Sequence, residues 1–284
     1  MEQPGLPAHL MLQPARHDGA ARPVSHDDVP TLMAAGVLAY VLETLLHEAA
    51  GHGGVCLASG LRFTMLAPLW MRCSAFSRPV VAAGPAANLL AAIAFAVVLR
   101  WRRPAGPLAS LLLWLGFVFN ALVACGYLGV GAITAFGDWP ALFAWVSPPM
   151  AWRAPASLLA AAGYYGGLRV AATLFRRFSG GAGVAEASLW RRCMAPAAGA
   201  AIVACGAELA GGRLQPTPLL LALGCTLVVG FSMTSMMDAM HQPRVTDHDS
   251  GPVVRAPWLI TAAIAVGLGF MIFIGPGLDL TRLG

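Results

Sequence analysis

The sequence carries little charge and contains no lysine. Only 11% of its 284 residues are charged, against roughly 25% in a soluble globular domain. All 18 basic residues are arginines, and they stand at the ends of apolar runs instead of forming a basic patch. The low charge excludes an ordinary soluble domain, and we expect no nucleic-acid partner.

Cysteine and histidine are also scarce. None of the six cysteines forms a Cys-x-x-Cys pair, so we interpret them as small apolar core residues rather than disulfides or metal ligands. Only four of the seven histidines lie beyond residue 29, and a membrane di-iron oxidase needs many more. The cysteines are Cys56, Cys73, Cys125, Cys193, Cys205 and Cys225.

Apolar sequence, in contrast, is abundant. Hydrophobic residues make up 58% of the chain, and several runs exceed the roughly 20 residues that a helix needs to cross a bilayer. We predict an all-α polytopic integral membrane protein with six to seven transmembrane helices and a short extended or re-entrant segment after the first. Span four has an interfacial helix as its alternative, because Arg169 lies inside it. The predicted spans are residues 31–59, 79–99, 108–135, 155–175, 193–211, 218–240 and 257–275.

We divide the chain into a mobile polar tail, residues 1–29, and a single membrane-embedded domain, residues 30–284. The tail is rich in proline and has no apolar core with a cleavage site, so we do not interpret it as a signal peptide. Within the domain we expect a metal-site core at about residues 31–140 and additional helices at residues 155–284.

The arginines also indicate an orientation in the membrane. For seven spans, the connections on the N-terminal side carry more arginine than those opposite, and the positive-inside rule then puts the N terminus in the cytoplasm. The wealth of Ala, Gly, Pro and Arg is typical of a bacterium with a GC-rich genome. We therefore expect a bacterial inner membrane, with lipid as the surrounding partner. No pattern in the sequence specifies an oligomeric state.

Two histidines and a glutamate interrupt the first apolar span. His47, Glu48 and His52 stand in a segment otherwise fit for lipid, where ionisable groups are costly and indicate function. Neutral imidazoles bind Zn²⁺, and a glutamate next to the first of them can act as a general base toward water. The segment therefore predicts a zinc site with Glu48 as the base.

The spacing of the two histidines predicts a local distortion of the helix. His47 and His52 are five residues apart, instead of the four that place both histidines of a His-Glu-x-x-His box on one face. On a regular helix a step of five leaves them about 140° apart. A π-bulge brings such a pair back onto one face, and Gly51 tolerates the distortion best. We predict a bulge or break at residues 49–51.

Two further polar residues lie in the apolar spans. Glu43 precedes His47 by four residues and shares its helical face. It can line the site, bind the metal, or accept a hydrogen bond from the imidazole in a second shell. Asn88 follows Gly84 and Pro85, where small residues let a second helix approach closely. Its amide can bridge two helices or donate to an oxyanion as part of the catalytic site.

The order of these motifs resembles the site-2 protease family of intramembrane zinc metalloproteases. That family has a membrane-embedded His-Glu motif, a short extended piece, and then a span that opens with Gly-Pro-x-x-Asn. The matching residues here are 47–52, 60–78 and 84–88, and the resemblance covers roughly residues 31–140. It implies a Zn²⁺ cofactor and hydrolysis of peptide bonds in membrane-embedded substrates.

The resemblance also implies the third metal ligand. The family supplies an aspartate from a later span in an Asn…Asp-Gly context, and the counterparts here are Asn120 and Asp138. Asp238, three residues before His241, is the alternative ligand. The chain departs from the family in lacking the Asp-Gly pair. Its His-Glu-x-x-Gly-His box is similar to that of the soluble dipeptidyl peptidase III family, in which the longer box binds zinc.

We therefore expect an intramembrane zinc endopeptidase that cleaves a transmembrane protein substrate. Zinc-activated water attacks the peptide carbonyl, and Glu48 takes the proton. The alternative is a non-proteolytic transporter or ion-path protein that uses buried acids and histidines. The two differ in metal content and in hydrolysis.

Overall fold

The protein is a bundle of long apolar helices. The computed structural model describes residues 26–102, 106–178, 186–212, 216–239 and 251–282. Helices make up 79% of it, and seven of those described are long and apolar enough to cross a membrane. They cover Val29–Ala58, Arg78–Trp101, Pro107–Thr134, Met150–Arg177, Ser188–Ala210, Leu219–Met236 and Pro257–Ile274.

The sequence explains where the helices begin. Asp28 caps the first helix by accepting a hydrogen bond from the N–H of Thr31. Pro79, Pro107 and Pro257 stand in the first turns of three others, where the missing N–H has no cost. The helices are α1 Val29–Leu45, α2 Gly54–Ala58, α3 Arg78–Trp101, α4 Pro107–Thr134, α5 Asp138–Leu142, α6 Met150–Phe178, α7 Glu186–Ala210, α8 Pro216–Leu223, α9 Val229–Ala239 and α10 Pro257–Gly269.

Three π-helical segments interrupt these helices. Leu46–Gly53 joins α1 to α2, Gly224–Val228 joins α8 to α9, and Phe270–Ile274 extends α10. Each continues the helix before it without a break, so the first span runs for 30 residues from Val29 to Ala58. A π-helix places one additional residue in a turn and rotates everything that follows.

A small antiparallel sheet follows the first span. Strands β1 (Phe63–Ala67) and β2 (Trp70–Cys73) form a hairpin in which Ala67 pairs with Trp70. Strand β3 (Leu278–Asp279) adds to the other edge of β1, so that the order is β2-β1-β3. The short extended segment expected after the first span is therefore present, and its third strand comes from the far end of the chain.

Close contacts between small residues hold α1 at the centre of the bundle. Gly36 of α1 lies against the backbone of Pro196 in α7, and Gly199 of α7 lies against the backbone of Met33. A Cβ at either glycine would overlap the opposite backbone, so only glycine permits this approach. Helix α3 packs against the π-helical segment Leu46–Gly53 that carries the histidine box, and α4 packs against α1.

A buried ion pair ties the start of α1 to two other parts of the bundle. Arg192 of α7 donates two hydrogen bonds of 2.9 Å to the carboxylate of Asp27. That carboxylate also accepts from the N–H of Val253, at 2.8 Å, and from the hydroxyl of Ser188. Asp27 lies within the predicted polar tail but is buried, while residues 1–25 of that tail lie outside the described residues.

One sequence expectation is wrong. Cys56, at the end of the first span, forms a disulfide with Cys73 of β2; the sequence analysis interpreted both as core thiols. They are 17 residues apart, and only the return of the hairpin toward α2 brings them together. The other four cysteines form no disulfide within the described residues, and Cys193 among them is buried.

The predicted fourth span, for which an interfacial helix was the alternative, forms one long helix. Helix α6 has 29 residues and qualifies by length and hydropathy as a span, and Arg169 stands on its exposed side. This gives seven candidate spans in the described residues, the upper of the two predicted counts.

Candidate metal centre

The two box histidines lie on a π-helical segment within the first span. Residues 46–53 form this segment, in which each N–H bonds five residues back, so residues i and i+5 stack on one face. The rings of His47 and His52 are accordingly 4.8 Å apart between centroids. The predicted distortion at residues 49–51 is confirmed, and it brings the two imidazoles together.

Gly51 is the residue at which this segment touches α3. A Cβ there would lie 2.7 Å from the carbonyl oxygen of Ala83 and 2.8 Å from the Cα of Gly84. Real Cβ atoms do not approach backbone so closely, so glycine at this position allows the histidine-bearing segment to pack on α3.

Asp138, the first residue of α5, completes the group. Its Oδ2 lies 3.2 Å from Nε2 of His47 and 3.2 Å from Nε2 of His52. One potential ligand atom from each residue lies within 4.8 Å of the others. Ligand atoms bound to zinc at about 2.0–2.1 Å in a tetrahedron are about 3.3 Å apart, and the two distances from Asp138 to the histidines match this value. The structure brings the three predicted ligands together, and their role as ligands stays a prediction.

A turn with left-handed backbone delivers Asp138 to the histidines. Ala135 has a φ of 60° and Gly137 a φ of 95°. At position 137 glycine adopts this positive φ without steric cost. A Cβ at Gly137 would also overlap the phenol oxygen of Tyr127. The chain can therefore return from the end of α4 closely enough for Asp138 to face the first span.

The surroundings of Asp138 favour its carboxylate form. Burial by itself would raise the pKa of Asp138, but the hydrogen bonds and charges of His47 and His52 lower that pKa to about 2. Carboxylates bind metal ions in the ionised form. Asp138 is therefore in the protonation state that a metal site requires.

A backbone carbonyl fixes the tautomer of His52. Its Nδ1 lies 2.6 Å from the carbonyl oxygen of Val80 in α3. A carbonyl oxygen only accepts, so Nδ1 carries a proton, and Nε2 is the nitrogen that can bind a metal when the imidazole is neutral. This second-shell contact is usual for metal-binding histidines. Nδ1 of His47 is buried and has no hydrogen-bond partner among the described residues.

Gly84 leaves room where the two imidazoles meet α3. A Cβ on Gly84 would overlap Nε2 of His52 and lie 2.7 Å from Nε2 of His47. Any side chain at this position would occupy the space beside both potential ligand atoms. The glycine of the Gly-Pro-x-x-Asn motif thus shapes the site directly, a role that the sequence analysis did not assign to it.

A cavity adjoins His47 and Glu48. Its volume is about 60 Å³, and its polar walls include Tyr40, Glu43, His47, Glu48 and Tyr127. At the ~10–15 Å³ that one water needs, about four waters fit. Glu48 is buried, and its Oε2 has no hydrogen-bond partner among the described residues. A carboxylate oxygen is thus available beside a water-sized space.

Glu43 and Asn88 contact each other rather than the imidazoles. The amide of Asn88 donates a 2.7 Å hydrogen bond to Oε1 of Glu43, and both side chains are buried. Thr44 also donates to Glu43, at 3.4 Å. Asn88 therefore bridges α1 and α3, one of its two predicted roles. No contact of Glu43 with His47 is found in the described residues, so its second-shell role stays a prediction.

The alternative third ligand cannot be placed at the site. Asp238 belongs to the end of α9, but its side chain and the whole of His241 lie outside the described residues. Two contributors to the site were missed by the sequence analysis. They are Tyr127, visible only as a polar residue in an apolar span, and the Val80 carbonyl, which has no signal in a sequence.

Comparison with known proteins identifies no relative of this chain. No protein-family model matches the chain, and neither a curated protein nor a solved structure matches it.

Proposed function

We propose that this protein is an intramembrane zinc metalloprotease similar in chemistry to the site-2 protease family. One observation carries the proposal: Oδ2 of Asp138 lies 3.2 Å from Nε2 of both His47 and His52, and both histidines belong to the apolar span that carries Glu48. The residues present fit a zinc ion, because two imidazoles and a carboxylate are among its preferred donors.

His47, His52 and Asp138 would hold the metal and leave the cavity side open. A zinc ion in that position supplies Lewis-acid chemistry, which polarises a carbonyl group and makes a water molecule more acidic. The Val80 carbonyl orients His52, and the neighbouring α3 backbone excludes other side chains from the site.

Glu48 is the general base in this proposal. It follows His47 directly, is buried, and has an oxygen free of partners in the described residues. It takes a proton from the attacking water and returns it to the nitrogen of the leaving amine. The adjoining cavity supplies the water, which apolar surroundings would otherwise exclude.

The substrate class follows from the position of the site. Because His47 and Glu48 stand within an apolar span, the proposed substrate is a transmembrane segment that unwinds locally. The three-stranded sheet lies beside the site, because Pro68 and Leu69 of the hairpin turn line the cavity together with Glu48.

The experiment uses the full chain, purified in detergent, and a single-span reporter protein with Asn-Pro at the centre of its span. We expect zinc close to one equivalent per chain and cleavage within the span. Glu48→Gln should lower the cleavage rate by about 10²–10⁴ and leave the zinc content unchanged. A Glu48→Gln variant with full turnover contradicts the assignment of the base.

The second candidate is an ion-path protein, and Glu43 is the observation that favours it. Glu43 adds a second buried carboxylate to the cavity of Glu48, as a path for protons or metal ions requires. Glu43→Gln separates the two. The protease account predicts cleavage within about tenfold of the unchanged protein, whereas an ion-path protein would show no cleavage and lose ion flux into liposomes.

A further inference from the structure

Tyr127 occupies a place in the cavity that none of the predicted site residues fills. It belongs to the second half of α4, lines the cavity with His47 and Glu48, and is partly buried. Its ring meets the His47 ring edge to face, with centroids 5.9 Å apart. A phenol therefore stands beside both a potential ligand and the proposed base.

The phenol oxygen is held by the turn that carries Asp138. The phenol oxygen lies against Gly137, where a Cβ would overlap it, and the backbone N–H of Asp138 is its nearest polar neighbour on this turn. A phenol accepts and donates at once, so this contact leaves its O–H hydrogen free to donate. No acceptor for that hydrogen is found among the described side chains, and the adjacent space is the cavity.

We propose that Tyr127 is a catalytic residue that donates its O–H hydrogen bond to the oxygen of the scissile carbonyl. This inference rests on the proteolytic function proposed above. A fixed donor aimed at developing negative charge stabilises a transition state more than the ground state. The close packing of the phenol oxygen against Gly137 and the edge contact with His47 together fix the position of this donor.

The step balances without another reactant. The water oxygen forms a bond to the carbonyl carbon, its proton passes to Glu48, and the carbonyl π electrons move onto the carbonyl oxygen. Tyr127 donates to that oxyanion and keeps its own proton. The carbon–nitrogen bond then breaks, the electrons return to form the carbonyl, and Glu48 gives its proton to the leaving nitrogen.

The test compares Tyr127→Phe with Tyr164→Phe in the full-length protein. Tyr127→Phe keeps the ring against His47 and removes only the hydroxyl. Tyr164 donates a 3.1 Å hydrogen bond to Ser232 between α6 and α9, so its variant controls for the loss of a partly buried hydroxyl. Reporter cleavage, zinc content and binding of a phosphinate peptide are measured on each, because the tetrahedral phosphinate anion mimics the oxyanion.

We expect Tyr127→Phe to lower kcat by about 10²–10³, with KM and zinc content unchanged, and to weaken phosphinate binding. Tyr164→Phe should leave all four values unchanged. Normal kcat in Tyr127→Phe overturns the inference but leaves the protease proposal intact. Loss of zinc along with activity overturns it too, since Tyr127 would then only position Asp138. An unchanged protein that neither cleaves the reporter nor binds the phosphinate overturns both proposals.

Discussion

At the scale of single residues, Gly84 determines how much space lies beside the two imidazoles. A methyl group there would overlap Nε2 of His52 and crowd Nε2 of His47. Loss of an outer-shell contact commonly costs 10–100-fold in metal affinity, and a direct overlap with both ligand atoms should cost at least as much. The site therefore requires glycine at position 84.

We predict that Gly84→Ala lowers zinc affinity by about 100-fold or more, measured by competition with a chromophoric chelator. The matched control is Gly54→Ala in α2, because a Cβ at Gly54 meets nothing within 4 Å. The control should bind zinc normally and gain up to about 1 kcal/mol in helix stability. Normal zinc affinity in Gly84→Ala would show that the metal binds elsewhere.

A second residue-scale prediction concerns the buried pair of Asp27 and Arg192. Removing one partner of a buried ion pair leaves an unpaired charge and costs about 3–5 kcal/mol. We expect Arg192→Met to lower the apparent Tm in detergent strongly. Arg191→Met should change it little, because Arg191 is only partly buried. Equal Tm values for the two variants would contradict the role of the pair.

The same pair predicts a direction for the pH dependence of stability. Burial opposes ionisation of Asp27, but hydrogen bonds from Arg192, Ser188 and the Val253 N–H hold its pKa below the ordinary value. The stabilising contribution is therefore complete above the unfolded pKa of about 3.9. It disappears as the pH falls through the lower folded pKa. Thermal melts from pH 7 to pH 3 should show a loss of Tm that Asp27→Asn lacks.

At the scale of elements, the π-helical segment Leu46–Gly53 allows two histidines five residues apart to lie side by side. His52 faces Asp138, whereas position 51 faces the backbone of α3 at Ala83 and Gly84. A histidine moved to position 51 would meet that backbone instead of the metal. The conventional spacing of four should therefore fail in this protein.

The double variant Gly51→His/His52→Gly restores a His-Glu-x-x-His box and tests this directly. We predict that it binds zinc no better than the single variant His52→Gly, by metal analysis of purified protein. Glu48, His47 and Asp138 are unchanged in both variants, so the two differ only in whether an imidazole stands at position 51. Recovery of zinc in the double variant would contradict the π-helical geometry.

Local features of the chain were predictable from sequence. The spans follow from apolar runs punctuated by Pro79, Pro107 and Pro257, and the π segment follows from two histidines five residues apart with Gly51 between them. Both depend on residues close together in the chain. Asp138 could be predicted only through a resemblance, since nothing in its own neighbourhood specifies a partner 91 residues away.

The features that sequence analysis missed depend on distant packing. The Cys56–Cys73 disulfide needs the hairpin to fold back, and β3 joins β1 from more than 200 residues away. Asp27 belongs to a segment that we predicted to be a polar tail. In the structure it accepts hydrogen bonds from Arg192 of α7 and from Val253, which precedes α10. Periodicity and composition contain no information about such pairs.

At the scale of the whole molecule, we predict the orientation of the chain in its membrane from two independent features. Seven spans alternate their connections between two sides, and the side of the N terminus carries most of the paired arginines, which favour the cytoplasm. The disulfide lies on the opposite side, and disulfides persist outside the cytoplasm. The arginines of the first side include Arg100, Arg102, Arg103, Arg176, Arg177, Arg191 and Arg192.

We predict that the hairpin end of the bundle faces away from the cytoplasm. Ala144→Cys, in the exposed turn after α5, should react with a membrane-impermeant maleimide on intact bacterial cells. Arg102→Cys, exposed at the end of α3 on the other side, should react only after the cells are opened. The reverse labelling pattern would place the metal centre at the cytoplasmic side.

We propose that His47, His52 and Asp138 together hold one zinc ion. Zinc K-edge X-ray absorption on the purified full-length protein reports the ligands of that ion. We expect one zinc per chain with nitrogen and oxygen ligands at about 2.0–2.1 Å, two of them imidazoles, and loss of the signal in His52→Gly. Absence of bound zinc, or a shell of sulfur at about 2.3 Å, would contradict it.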